Sequence, residues 1–333
     1  RAKSSCLVYN IDKYTKERYI MPVTITAGIT FSGGGLTMAF APPSVATAGW
    51  FAGGQPNTTR TQRTTFATDT ATATIRGSLT AGRYGIGGTG TLTQGWFGGG
   101  YNNSVVQRIT YSTDTATSSV RGPLSLGRSY PGATSDSTTF GWFGGGGPGP
   151  FSTVDRITYA TDTATASVRG PLATGRYQQG AAGNTNYGWH VAGAFPNQNS
   201  VDRIEYAVDT ATASFRVSVT YRRGLTGIGT DLYGWFGGGY GPSFPGRVTT
   251  VERITYANDT AAASTRGPIT TAVRLLSSVG DNTYGWFAGG NDSVIGQIST
   301  VCRLIYATDT ATATDRGPLT AGSYSMGSSS GLQ

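Results

Sequence analysis

Hydrophobic and polar positions alternate along most of this chain in short runs that break after five or six residues. Val154-Asp155-Arg156-Ile157-Thr158-Tyr159 is typical, and its period of two predicts a strand buried on one face. Ahead of such runs stand shorter apolar segments such as Tyr233-Gly234-Trp235-Phe236-Gly237-Gly238. These predict a buried strand, ended by glycines that also let backbones approach closely. Behind the alternating run comes Asp-Thr, turn chemistry in which the Asp side chain bonds the backbone two residues on. Threonines on alternate residues follow, as at Thr70, Thr72 and Thr74, and predict an outer strand with one face in water. Arg-Gly-Pro-Leu closes that strand, because Pro cannot continue a ladder. A Gly- and Ala-rich segment such as Arg176 to Gly183 then predicts a strand crowded against a central axis.

This four-strand unit recurs six times. Trp50, Trp96, Trp142, Trp189, Trp235 and Trp286 each follow a Gly, at intervals of 46, 46, 47, 46 and 51 residues, the spacing of propeller blades. A Gly pair follows each Trp, reduced in the fourth repeat to Ala192-Gly193. Next comes an Arg (Arg63, Arg108, Arg156, Arg203, Arg253, Arg303), and six residues on an Asp (Asp69, Asp114, Asp162, Asp209, Asp259, Asp309). A second Arg stands seven residues beyond each Asp, from Arg76 to Arg316. Constant spacing implies constant strand register. One blade cannot bury a core alone, so the six Trp are expected as wedges between neighbouring blades.

The expected fold is all-β, a propeller of six four-stranded blades. Residues 323 to 333 are expected to supply the inner strand of the blade begun at Gly49, closing the ring and hiding its edges. The alternative takes residues 36 to 48 as that strand and makes the chain a truncated seven-bladed ring. The propeller domain is drawn over residues 36–333, with 21–35 a Gly-rich lead-in. Residues 1–20 share no vocabulary with the rest. Lys16-Glu17 can be encoded as a bacterial ribosome-binding sequence ahead of Met21, so they read as translated upstream sequence, with a disordered tail as the other reading.

Composition sharpens this picture. Gly supplies 51 of 333 residues and charged residues only 13%, which suits turns and strands and not helices. The formal charge of +8 invites a nucleic-acid reading. However, after Met21 every basic residue is Arg, and most recur at fixed repeat positions with Asp nearby. They read as blade scaffolding, and no nucleic-acid partner is expected. No apolar stretch approaches the ~18–20 residues that span a bilayer, so no membrane insertion is expected. The two cysteines, Cys6 and Cys302, form no disulfide framework and no zinc spacing.

The order Gly-Gly, alternating strand, Tyr-x-x-Asp-Thr, Gly-Pro-Leu and Arg resembles the Kelch repeat across residues 49 to 333. The wording GWFGGG…VDRITYATDTATASVRGPL, best seen from Gly141 to Leu172, with the opening TITAGITFSGGGLTM, is similar to repeat proteins of tailed phages of marine bacteria and cyanobacteria. The resemblance implies a virion structural or tail-associated protein and assigns no catalytic residue. This chain places Arg where Kelch blades often have a late Trp.

Candidate chemistry belongs where the repeat breaks. His190, the only histidine, stands where the other repeats have Phe, and reads as a tolerated substitution beside Trp189. Cys302 occupies the slot of Asp155, Asp202 and Glu252 and reads as repeat drift. The six turn Asp lie one per blade, unlike a paired acid and base. Gly144 to Gly147 lacks the Lys-Ser/Thr of a phosphate loop, and a copper site needs histidines this chain lacks. No catalytic residue, metal or cofactor is therefore expected; the rival reading is a polysaccharide hydrolase or lyase. The informative variation is in length. From the second Gly of each pair to the following Arg the chain runs 9, 9, 11, 10, 15 and 13 residues. These loops carry rings and amides, among them Tyr101, Asn102, Asn103, Phe151, Phe195, Asn197 and Asn199. Such groups on a rigid scaffold suit a glycan. The two longest loops, in blades five and six, make Tyr240, Phe244, Arg247, Asn291 and Asp292 the expected contact patch, for a host-surface glycan or another virion protein.

Overall fold

The computed structural model describes residues 30–32, 35–37, 45–195, 198–242 and 246–330. Residues 1–20 and most of 21–35 lie outside them, as do Asn197 and Phe244. Thr30–Ser32 and Gly35–Thr37 pair as a small antiparallel hairpin. From residue 45 onward the chain folds into six four-stranded antiparallel sheets arranged as a six-bladed propeller.

The second blade shows the plan, with strands Ile86–Gly90, Gln94–Gly99, Val106–Thr110 and Ser119–Arg121 in spatial order from the axis outward. Blade six inserts a two-residue ribbon, Asn291–Asp292 against Gly296–Gln297, between its second and third strands. Blade one takes its inner strand, Gly327–Ser329, from the far end of the chain and pairs it with Ala48–Ala52. That closure settles the choice between six and seven blades. Register is constant: every Trp is the cross-strand partner of the first Arg of its repeat, from Trp50↔Arg63 to Trp286↔Arg303.

Blades are joined by one repeated clasp. Each Trp indole lies buried against the next blade and stacks on the aromatic that opens its one-turn 3-10 helix, with ring centroids 3.7 to 4.2 Å apart. Its Nε1–H donates 2.8 Å to Oδ2 of that blade's turn Asp, as from Trp96 to Asp162. The same carboxylate receives the first Arg, Arg108 at 3.0 Å, and faces the second, Arg121 at 3.4 Å. The pattern runs around the ring to Trp286, Arg303 and Arg316 on Asp69 of blade one. The turn Asp therefore bonds across blades and not to its own backbone two residues on, because a buried indole N–H and two guanidiniums outcompete a solvent-facing turn. The outer strands are also shorter than the threonine pattern predicts. In blade one only Thr74–Arg76 is strand, and Thr70 sits in the turn.

Candidate functional site

Each chain segment leaving an outer strand crosses to the next blade and bridges to the loop after that blade's second strand. Tyr177↔Ala194, Arg223↔Tyr240 and Arg274↔Asn291 are such pairs. The connections and the variable loops thus share one face. Four connections are anchored by a buried Arg. Arg128, for example, donates to the carbonyls of Phe143, Gly145 and Thr153 and pairs with Asp155 at 2.8 Å. Arg176 meets Asp202 and Arg222 meets Glu252 in the same way. Where the connection has Val273 instead, the acid's place is taken by Cys302, and both are buried in one apolar cluster. Where it has Ser323, the acid is replaced by Gln62, which bonds Thr320. Arg83 alone meets no carboxylate among the described residues, and burial pushes its guanidinium down to about 10.

At the axis the connections close into a belt. Gly85, Tyr130, Gln178, Gly224, Leu275 and Ser325 occupy equivalent positions, and all six have φ between 56° and 68°. Each donates its N–H to the carbonyl of the preceding member, and Gly85 donates to Ser325, completing the circle. Beside the belt lies an axial cavity of about 100 Å³, lined from all six blades by residues such as Gly88, Ala133, Ala181, Thr226, Ser277 and Ser328. It is smaller than the ~300–1,000 Å³ of ordinary ligand pockets, so the axis is not where a sizeable ligand sits.

Outside the belt comes a second ring of equivalents: Tyr84, Ser129, Tyr177, Arg223, Arg274 and Tyr324. Rings dominate this part of the face. Tyr84 lies 5.3 Å from Tyr101, and Tyr177 stacks on Phe195 at 5.9 Å. Tyr101 and Phe195 are exposed, and Tyr84, Tyr177 and Tyr240 are half-buried.

The structure brings three of the five expected patch residues together. Arg247, of blade five, donates Nε to the Asn291 carbonyl of blade six at 2.8 Å and Nη2 to its Oδ1. Tyr240 adjoins Arg247, pairing its backbone with Arg247 and with Arg223. Asp292 turns away to accept the amides of Val294 and Ile295, which hold its carboxyl below the usual range. Val294 and Ile295 stand exposed at that tip. Arg223 and Arg274, which sequence reasoning missed, flank the Tyr240 ring at 5.2 and 5.6 Å. The signal available was the repeat itself, since Tyr or Ser fills their position in the other four connections.

His190 and Cys302 are buried. The His190 ring packs where Cβ atoms of Gly132 and Gly144 would fall, neither ring nitrogen has a partner, and burial with Arg176 nearby pushes its pKa down to about 3. Burial pushes the Cys302 thiol up to about 11. Among the described residues no group of three or more His, Cys, Asp or Glu could hold a metal ion, and no helix is long and apolar enough to cross a membrane. No protein-family profile matches the chain, and no curated protein sequence does.

Proposed function

We propose that this propeller is a binding protein that presents its connection face to a glycan of a host-cell surface, as a structural or tail-associated component of a virus particle. The observation that carries the binding part is the gathering of rings on that face. Tyr84, Tyr101, Tyr177, Phe195, Tyr240 and Tyr324 ring a rigid mouth, and amides and a guanidinium from Arg247 and Asn291 stand beside them. Aromatic faces stack on the apolar faces of sugars, and fixed amides bond hydroxyls, at low entropic cost because the scaffold is rigid. The virion part rests on the resemblance of the repeat wording to phage proteins, and the Kelch-type reading rests on the order of its repeat motifs.

The test is binding to a glycan array and to host cells by the wild type and by a Tyr240→Ala, Phe244→Ala variant, with folding followed by thermal melting. Loss of about tenfold in affinity or more is expected at unchanged melting temperature. Unchanged binding, or loss only when the Asp-Thr turns of the opposite face are altered, overturns the reading.

A further inference from the structure

Twenty arginines follow Met21. Twelve stand in the six clasps and four are buried in the blade connections. The remainder are Arg60, Arg223, Arg247 and Arg274, and three of those gather around one ring, Tyr240. Among the described residues none of the three makes an ion pair, unlike the twelve clasp arginines; the unpartnered Nε of Arg223 and Arg274 is shared by most clasp and connection arginines and does not set them apart. The six carboxylates left over lie elsewhere: Glu205 ends the third strand of blade four and Asp315 lies in the outer strand of blade six. Asp136, Asp231 and Asp281 sit on hairpins between first and second strands, on the opposite face, where Asp136 and Asp281 cap their own turns. Asp292 feels Arg247, yet the amides of Val294 and Ile295 already engage it.

We infer that Arg223, Arg274 and Tyr240 form the subsite for a negatively charged group, a carboxylate or sulfate, on an acidic glycan. The inference rests on the glycan-binding reading and names its ligand class. Guanidiniums gathered at one place with no carboxylate paired to them among the described residues favour a bound anion, whose charge-assisted hydrogen bonds are the strong ones. A carboxylate or sulfate presents two oxygens to a guanidinium fork, and the Tyr240 ring, with both guanidiniums over it, holds two such forks at one place. Burial together with the charges of Arg247 and Arg223 lowers the pKa of Arg274, a mutual repulsion that a bound anion relieves. A nucleic acid is the poorer fit, because its footprint is a basic stripe that tracks many phosphates. Here the three cations form one patch, and the rest of the second ring is Tyr and Ser.

The experiment is an array carrying neutral, uronate-bearing and sulfated oligosaccharides, probed with the full chain, with Arg223→Gln/Arg274→Gln, and with Arg60→Gln as a control for loss of charge alone. Duplex DNA serves as competitor. We expect the wild type to favour acidic members, with the uronate and sulfate sets showing which anion is preferred. The double variant should lose about tenfold or more on those members at unchanged melting temperature, and Arg60→Gln should not. Acidic binding that survives in the double variant, or binding to neutral members of equal strength that depends only on Tyr240, overturns the anionic subsite and leaves the glycan reading standing. Binding to no member overturns both. Displacement by DNA at lower concentration than by any oligosaccharide overturns the inference in favour of nucleic acid.

Discussion

A single substitution in the repeat shows how a residue's environment, more than its type, sets its chemistry. His190 fills the place of Phe51, Phe97, Phe143, Phe236 and Phe287, is wholly buried, and leaves both ring nitrogens unpaired. Burial, and then the charge of Arg176, lower its pKa from 6.5 to about 3. The folded chain thus stays neutral at His190 where the unfolded chain takes up a proton, so stability falls as pH drops from about 6.5 toward 3. At pH 4.5 the gap between the ordinary value and the pH corresponds to roughly 2–3 kcal/mol. His190→Phe should therefore raise stability by about 1–2 kcal/mol at neutral pH, by removing unpaired polar atoms, and flatten the acid limb of the stability curve. Denaturant melts at pH 7 and 4.5 check this; an equal effect at both would refute the titration argument. The sequence made the Phe-to-His exchange legible because five repeats supply the comparison. The bonding of the turn Asp was not, since its partners, such as Trp96 for Asp162, lie in the preceding blade, 66 residues away.

At the scale of the element, the four strands were readable from alternation and glycine, but the contacts between elements were not. The Gly of Arg-Gly-Pro-Leu is one example. Its φ is ordinary, so nothing local demands glycine, yet a Cβ at Gly170 would lie 1.9 Å from the Ala211 carbonyl oxygen in the next blade's turn. Gly77, Gly122, Gly267 and Gly317 repeat the contact. Blade four has Val217 there and adapts: its outer strand lengthens to Ser214–Ser218, its pairing shifts between Ser200 and Asp202, and Arg216 reaches Oδ1 of Asp259 instead of Oδ2. Gly170→Ala must force blades apart and should cost about 2–3 kcal/mol. Gly296→Ala is the control, since nothing lies within 4 Å of its Cβ and only its φ of +76° opposes substitution, at about 1 kcal/mol. A larger drop in melting temperature for Gly296→Ala than for Gly170→Ala would refute the close-approach account. The same limit explains the site. Loop lengths pointed to blades five and six, whereas Arg223 and Arg274 entered only once the connections were seen to share a face with those loops.

For the whole molecule, the decisive feature is that the ring is joined to itself in three layers by residues far apart in sequence. Innermost is the belt from Gly85 to Ser325; next, the strand Gly327–Ser329 pairs with Ala48–Ala52; outermost, Trp286, Arg303 and Arg316 clasp Asp69. The chain itself crosses from blade six to blade one through Ser323, and the break in it lies inside blade one, where Gly327–Ser329 is joined to Ala48–Ala52 by backbone pairing alone. Removing residues 327–333 leaves the belt and the clasp but takes the inner strand from blade one. It strips partners from Ala48–Ala52 and opens contacts such as Tyr111 Oη to Ser329 Oγ, 2.7 Å apart, and Ser329 Oγ to the Thr89 carbonyl. An exposed, flat strand edge at the axis templates pairing with other chains. The truncated chain should therefore melt at lower temperature and self-associate, measured by calorimetry and sedimentation. Adding a peptide of residues 323–333 should restore the monomer. A truncated chain that melts as the intact one does would show that the belt and the clasp close the ring without the strand.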